Sequence, residues 1–124
     1  MRPPSDPVWS PPEPAANLPL DTDKGNAMKL TWLGHSGFRL EIENAVILID
    51  PWISGNPAFP EDRRAEAIGG ATHILLTHGH GDHSGDTLAI AKELKIPVAG
   101  IYDLISSWVT HHDVEGIGFN KGGT

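Results

Sequence analysis

The sequence predicts an α/β or α+β layered domain, and three observations carry that reading. Three strand patterns follow one another between residues 29 and 50. After residue 72, strand and helix patterns alternate. Composition breaks near Met28, ahead of which lie seven of the eleven prolines. A run of strands followed by strand–helix alternation is the pattern of a sheet with helices layered on it.

Residues 1–27 are proline-rich and poor in apolar runs. Such a segment cannot bury enough apolar surface to offset its ordering entropy, so it is read as a disordered tail. A second reading stays open, in which translation starts at Met28 and the tail is not native. The domain itself is assigned to residues 28–124. Lys29–Leu33 reads as a strand with Leu30 and Trp32 on one face. Gly37–Glu43 alternates apolar and charged residues, the period-two signal of a half-buried strand. Glu43-Asn44 makes a tight turn into Ala45–Asp50, whose continuous apolar run suits a buried strand. The simplest arrangement of the three is an antiparallel meander.

A long connection follows from Pro51 to about Ala71, marked by Pro51, Gly55, Asn56, Pro57 and Pro60, with one or two helical turns over Glu61–Ile68. Thr72–Thr77 is the fourth strand. Gly85–Leu94 reads as a helix, capped by Ser84 or Asp86 and followed by Pro97. Pro97–Ile101 is a short fifth strand. Asp103 is placed as the cap of a second helix, whose Leu104, Ile105, Trp108 and Val109 form one apolar face. Gly116–Phe119 starts another strand.

Composition excludes several classes of function. Nine Lys plus Arg against sixteen Asp plus Glu give a net charge of -7. A nucleic-acid partner is therefore not expected, because that affinity comes from clustered cations. There is no cysteine, which removes disulfides, thiolate metal sites and cysteine nucleophiles. The longest apolar run, Ala45–Ile49, is far short of the roughly 18 residues of a membrane helix. The N-terminus lacks the apolar core of a signal peptide. The expectation is a soluble, acidic, cytoplasmic protein of at most one domain, with no membrane partner.

One stretch carries chemistry. From Thr77 to Asp86 the chain reads THGHGDHSGD, with three of its seven histidines and one aspartate inside six residues, directly after an apolar strand. His78 and His80 are two apart, so at a strand end their imidazoles project to one side and share a metal. Asp82 and His83 fall where the chain turns toward the helix and suit a second metal nearby. Gly79 and Gly81 are expected to supply unusual backbone angles that let the donors converge. Imidazole and carboxylate donors without sulfur favour zinc, with manganese, iron and nickel as alternatives. Asp86, at the helix start, is assigned as a cap in preference to a ligand.

His78-Gly-His80-Gly-Asp82-His83 resembles the H-x-H-x-D-H signature of the metallo-β-lactamase superfamily, including its place after an apolar strand. Leu30-Thr-Trp-Leu-Gly-His-Ser-Gly37, Leu48-Ile-Asp-Pro51, Gly55-Asn-Pro57 and the terminal Gly122-Gly-Thr124 extend the resemblance to one branch. That branch is the metal-dependent hydrolases related to ascorbate-6-phosphate lactonase and to N-acyl phosphatidylethanolamine-hydrolysing phospholipase D. The resemblance covers residues 28–124.

The resemblance implies a four-layer αββα sandwich holding two divalent metal ions, most naturally zinc. His78 and His80 would hold the first and Asp82 and His83 the second. Bound zinc lowers the pKa of its water from about 15.7 toward about 7, which gives the family its nucleophile. The aspartate of the signature, Asp82 here, also serves the family in orienting that nucleophile, so it is the catalytic candidate. Asp50 resembles the family's aspartate behind the metal loop and is assigned a supporting role rather than ligation. His35 and Ser36, in the Gly-His-Ser turn, either face the cleft and contact substrate or are ordinary turn residues. His111 and His112 read as surface residues at a helix end, and His73 as structural.

Members of that branch are much longer, so this chain is expected to carry the N-terminal half of the sandwich. One face of its sheet should then be uncovered, which predicts a homo-oligomer or a complementing chain. Two readings of different class follow. In the first the sequence belongs to a hydrolase of a lactone, ester or phosphodiester. In the second this chain alone is an incomplete half-domain that binds metal weakly without catalysis.

Overall fold

The computed structural model describes residues 27–122. The reading of a disordered or non-native tail falls on residues outside that range, and so does the terminal Gly123-Thr124.

The meander is present. Strands β1 (Met28–Trp32), β2 (Phe38–Ile42) and β3 (Ala45–Ile49) are joined antiparallel, with Leu30 opposite Leu40 and Leu40 opposite Ile47. Glu43 takes a φ of 52° in the turn between β2 and β3, as a two-residue hairpin requires. A 3-10 turn, Glu61–Arg63, then runs into α1 (Arg64–Ile68). From there the chain changes topology. Strand β4 (His73–Leu75) lies parallel to β3, β5 (Val98–Ile101) parallel to β4, and β6 (Gly116–Phe119) parallel to β5. The parallel strands need crossovers, and helices supply them. The short α2 (Gly81–Ser84) and α3 (Thr87–Leu94) separate β4 from β5, and α4 (Tyr102–His112) separates β5 from β6. The result is one mixed six-stranded sheet in the order β1-β2-β3-β4-β5-β6.

The core lies on one face of that sheet. Leu48, Ile74 and Val98 stand side by side on β3, β4 and β5, each fully buried. Ala67 and Ile68 of α1, Ile90 and Ala91 of α3, and Ile105 of α4 join them in a single cluster. Glycines make the close approach of α4 possible. A Cβ at Gly116 would come within 2.6 Å of Val109, and one at Gly100 within 3.0 Å of Ile105. Arg64 donates to Glu93 at 2.8 Å and ties α1 to α3. That bond raises the Arg64 pKa and lowers that of Glu93. Its contribution to stability is present above the unfolded carboxyl range and is lost as pH falls; solvent exposure keeps it small.

The opposite face is half-buried rather than bare. A row of register partners crosses all six strands through Trp32, Phe38, Ile49, Leu75, Ala99 and Ile117, and none of them is buried. The described residues form one sheet with a core on one side, and a second sheet is not among them.

Several local expectations need correction. The helix expected over Gly85–Leu94 is present as α3, starting two residues later at Thr87, and the short α2 precedes it unannounced, with Ser84 ending α2 and donating its hydroxyl to the carbonyls of Gly79 and His80. Asp86 stands at the start of α3, but its side chain caps nothing there. Its Oδ2 accepts instead from the backbone N–H groups of Ile53 (2.5 Å) and Ser54 (2.9 Å). Asp103 does not cap α4, which begins straight from β5, with Ile101 at its boundary. Val109 stays 46% exposed, so the apolar face of α4 rests on Ile105 with Leu104 and Trp108 at its border.

Asp86 is 7% exposed and carries two backbone donors of the 51–58 loop. Replacing it by Ala leaves both donors without their acceptor. Urea denaturation should show Asp86→Ala losing about 2–4 kcal/mol. An unchanged midpoint would mean that the loop holds itself.

Candidate metal centre

The site lies at the carboxyl ends of β3 and β4, the usual location of ligand crevices in sheets with parallel strands. Asp50 directly follows β3 and Thr77 lies just past β4. The backbone N–H of Asp50 donates to the Leu75 carbonyl at 3.0 Å, so the two strand ends are joined where the site begins.

Asp50 is 2% exposed, and a carboxylate so deep needs a full set of donors. It has them. The Thr77 N–H donates to Oδ1 at 2.8 Å and the Thr77 hydroxyl to Oδ2 at 2.6 Å. Nδ1 of His83 lies 2.9 Å from Oδ2. A carboxylate accepts only, so His83 carries its proton on Nδ1 and keeps Nε2 free. The same logic fixes His78. The Thr77 hydroxyl has one hydrogen, and Asp50 takes it. The contact of 2.9 Å between Thr77 Oγ1 and His78 Nδ1 must then be N–H to oxygen, which leaves Nε2 of His78 free as well. In their neutral forms both imidazoles thus present bare Nε2 lone pairs. This is the tautomer that a metal ligand needs, set by an orienting carboxylate behind it.

The rings of His78 and His83 approach to 4.0 Å between centroids, and those of His78 and His80 to 4.5 Å. Oδ1 of Asp82 is 3.7 Å from Nε2 of His83. Two donor groups with all members within 4.8 Å occur among the described residues: His35 with Asp82 and His83, and Asp50 with His78 and His83. Nitrogen and carboxylate oxygen without sulfur suit a divalent ion of the zinc type, so the residues fit the metal that the sequence implies. His80 belongs to neither group; it stands exposed at the entry to α2 and meets the cluster through His78. His73, His111 and His112 are exposed and lie in none of these groups.

Gly79 and Gly81 do not act as expected, since neither has a left-handed φ. Gly79 is needed for space: a Cβ there would stand 3.3 Å from a Leu104 methyl, so its absence lets the loop lie against α4. At Gly81 a Cβ would meet nothing within 4 Å.

Four residues shape the site that the sequence alone did not place there. Thr77 connects Asp50 to His78, but a threonine ahead of the motif is unremarkable until the bond is seen. Trp52 stands edge-on to His35, with ring centroids 5.3 Å apart. Asn56 donates to the Trp52 carbonyl at 2.9 Å and accepts from Ala58 N–H at 2.9 Å, holding the 51–58 loop in shape. Trp32 donates its indole N–H to the His35 carbonyl at 2.8 Å. Beside the site, past Thr77, an apolar cleft of about 560 Å³ is lined by Leu75, Ile101 and Phe119 with Lys121 at its rim.

With this geometry in place, comparison with known proteins decides the family. The model of the metallo-beta-lactamase superfamily matches residues 30–122. The chain belongs to the metallo-β-lactamase superfamily. A protein of Paracoccus denitrificans named UPF0173 metal-dependent hydrolase is 84% identical over 97 residues, covering 78% of this chain and 42% of that protein. A UPF0173 metal-dependent hydrolase of Cereibacter sphaeroides is 72% identical, over 78% of this chain and 42% of its own length. Among solved structures, Igni18, described as a novel metallo hydrolase from the archaeon Ignicoccus hospitalis, superposes with a TM-score of 0.66 at 34% identity, over 77% of this chain and 41% of that one. The chain spans less than half the length of the curated relatives it matches. As a metallo-β-lactamase superfamily member it holds the H-x-H-x-D-H loop where the signature is expected, at the end of a strand and the start of a helix.

Thr77 is the test of the tautomer argument. Thr77→Val keeps the β-branched shape but removes the hydroxyl shared by Asp50 and His78. Competition titration with a chromophoric chelator should show metal affinity reduced by about 10–100-fold. Unchanged affinity would show that His78 needs no such orientation.

Proposed function

We propose that the protein is a metal-dependent hydrolase of the metallo-β-lactamase fold that cleaves a lactone, ester or phosphodiester in a small-molecule substrate. The observation that carries this reading is the Asp50 carboxylate, which with Thr77 leaves Nε2 of His78 and His83 bare beside Asp82. The names of the relatives, metal-dependent hydrolases and a metallo hydrolase, support it.

In this reading His78 and His80 hold one divalent ion, and Asp82 and His83 hold a second. Zinc is the ion that the donors suit best. When bound, the metal pair supplies Lewis-acid polarisation of the scissile group and a water acidified to near-neutral pKa. The chain's own residues do the rest. Asp50 keeps His83 in its Nδ1-protonated form, and Thr77 does the same for His78. Asp82 faces the opening with its side chain 45% exposed, so a carboxylate oxygen is available to orient the attacking water. Trp52 walls one side and the cleft past Thr77 offers an apolar surface to the substrate. No helix among the described residues is long and apolar enough to cross a membrane. A cysteine-free chain fits a reducing compartment, and a cytoplasmic location is part of the same proposal.

The test is hydrolysis by the purified chain of three probes: an aliphatic lactone, an aryl ester and bis-p-nitrophenyl phosphate. Dialysis against a chelator should abolish turnover, and added zinc or manganese should restore it. His78→Ala with His80→Ala should cost more than the roughly 10–100-fold typical of changes behind the ligands. Turnover that survives both chelation and the double substitution would end the proposal.

A further inference from the structure

His35 lies outside the H-x-H-x-D-H loop, more than forty residues ahead of it, yet its ring faces that loop. Its Nε2 is 3.3 Å from Oδ2 of Asp82, and the other oxygen of Asp82 is 3.7 Å from Nε2 of His83. We propose that His35 is a metal ligand, forming with Asp82 and His83 a three-donor site built wholly within residues 35–83. The inference rests on the metal-centre reading above and adds a ligand to it.

The spacing is the first argument. Donors bound to one tetrahedral ion at about 2.0–2.1 Å stand about 3.3–3.4 Å apart. A charge-assisted N–H to carboxylate bond is shorter, about 2.7–2.9 Å. The His35–Asp82 distance matches shared ligation better than a direct ion pair. The facing atoms agree. Because Asp50 holds Nδ1 of His83, the nitrogen turned to Asp82 is the bare one. The rings of His35 and His83 stand 5.2 Å apart and nearly perpendicular, at 81°, as imidazoles do when they converge from different directions.

The backbone is the second argument. Gly34 and His35 are consecutive left-handed residues, with φ of 85° and 53°. Glycine adopts this freely, and a Cβ at Gly34 would in addition press on Asn56 and Ala58 at 3.0–3.1 Å. Histidine takes it only at a cost, and such residues persist where their surroundings hold them. The surroundings do so here. The Trp32 indole holds the His35 carbonyl, Leu33 N–H donates to the Gly37 carbonyl at 2.8 Å, and Gly37 N–H to the Gly34 carbonyl at 3.0 Å. Trp52 then limits where the ring can turn. An ordinary surface pair is a weak rival, because the side chains of His35 and Asp82 are 38% and 45% exposed and such pairs contribute little. Two imidazoles and one carboxylate also leave coordination positions free, as a catalytic site requires.

The test uses the whole chain freed of metal and titrated with Co(II). Visible absorption gives affinity, and hyperfine-shifted imidazole N–H protons in the proton NMR spectrum count the histidine ligands. His35→Asn tolerates the left-handed backbone and His35→Gly adopts it freely, so both should keep the circular dichroism of the parent. Both should lose one shifted N–H signal and bind Co(II) at least about tenfold more weakly. An unchanged signal count and affinity in both variants would overturn the assignment while leaving the metal centre intact. His78→Asn and His80→Asn serve as the control. If Co(II) binds the parent without shifted imidazole signals, or those two variants bind as the parent does, the metal-centre reading fails and this inference with it.

Discussion

The carboxylate of Asp50 is the constraint around which the site is organised. It is buried at the end of β3, where an unpartnered charge would be very costly, and it accepts from the Thr77 amide, the Thr77 hydroxyl and the His83 ring. Each of these bonds does two things. The amide bond joins the end of β3 to the chain leaving β4, which sets where the His-rich loop starts. The hydroxyl and ring bonds choose tautomers, because an acceptor-only group dictates which nitrogen keeps its proton. A sheet element and a chemical state are therefore determined by one side chain.

Around that centre the 51–58 loop acts as a frame. Asp86 holds Ile53 and Ser54 from below, and Asn56 holds Trp52 and Ala58 from within. Both polar residues are buried, at 7% and 4% exposure, and both have their partners. Trp52, positioned by this frame, borders the turn of Gly34 and His35, whose backbone lies in the left-handed region. Strain at the turn and satisfied polar groups beneath it belong together, since the first persists only because the second is rigid.

The rest of the molecule serves as a platform. Helix packing buries one face of the sheet through Leu48, Ile74 and Val98, and glycines at 100 and 116 let α4 lie close. The row from Trp32 to Ile117 on the opposite face is only partly covered, half-buried from Trp32 to Ala99 and exposed at Ile117. Against curated relatives more than twice as long as the matched segment, this chain carries the portion that contains the signature loop and its support.

The sequence by itself determined the strands and the helical segments, and it gathered the candidate metal donors into one loop. Alternation in β2, the apolar run in β3 and helical spacing in α3 and α4 are local properties, set by side-chain period, so they are readable without tertiary contacts. His78, His80, Asp82 and His83 lie within six residues, so their clustering is local too. What only the tertiary structure decided is which residues act across distance. Asp86 looks like a helix cap, yet it serves a loop thirty-two residues earlier. Gly79 looks like a conformational hinge, yet it makes room for Leu104. Thr77 and Trp52 carry no signal in one dimension, and His35 could be read as site or turn until its ring was seen against Asp82. The physical reason is common to all of them. A side chain's period is written in its neighbours, whereas its partner is written in a strand or loop that only folding brings near.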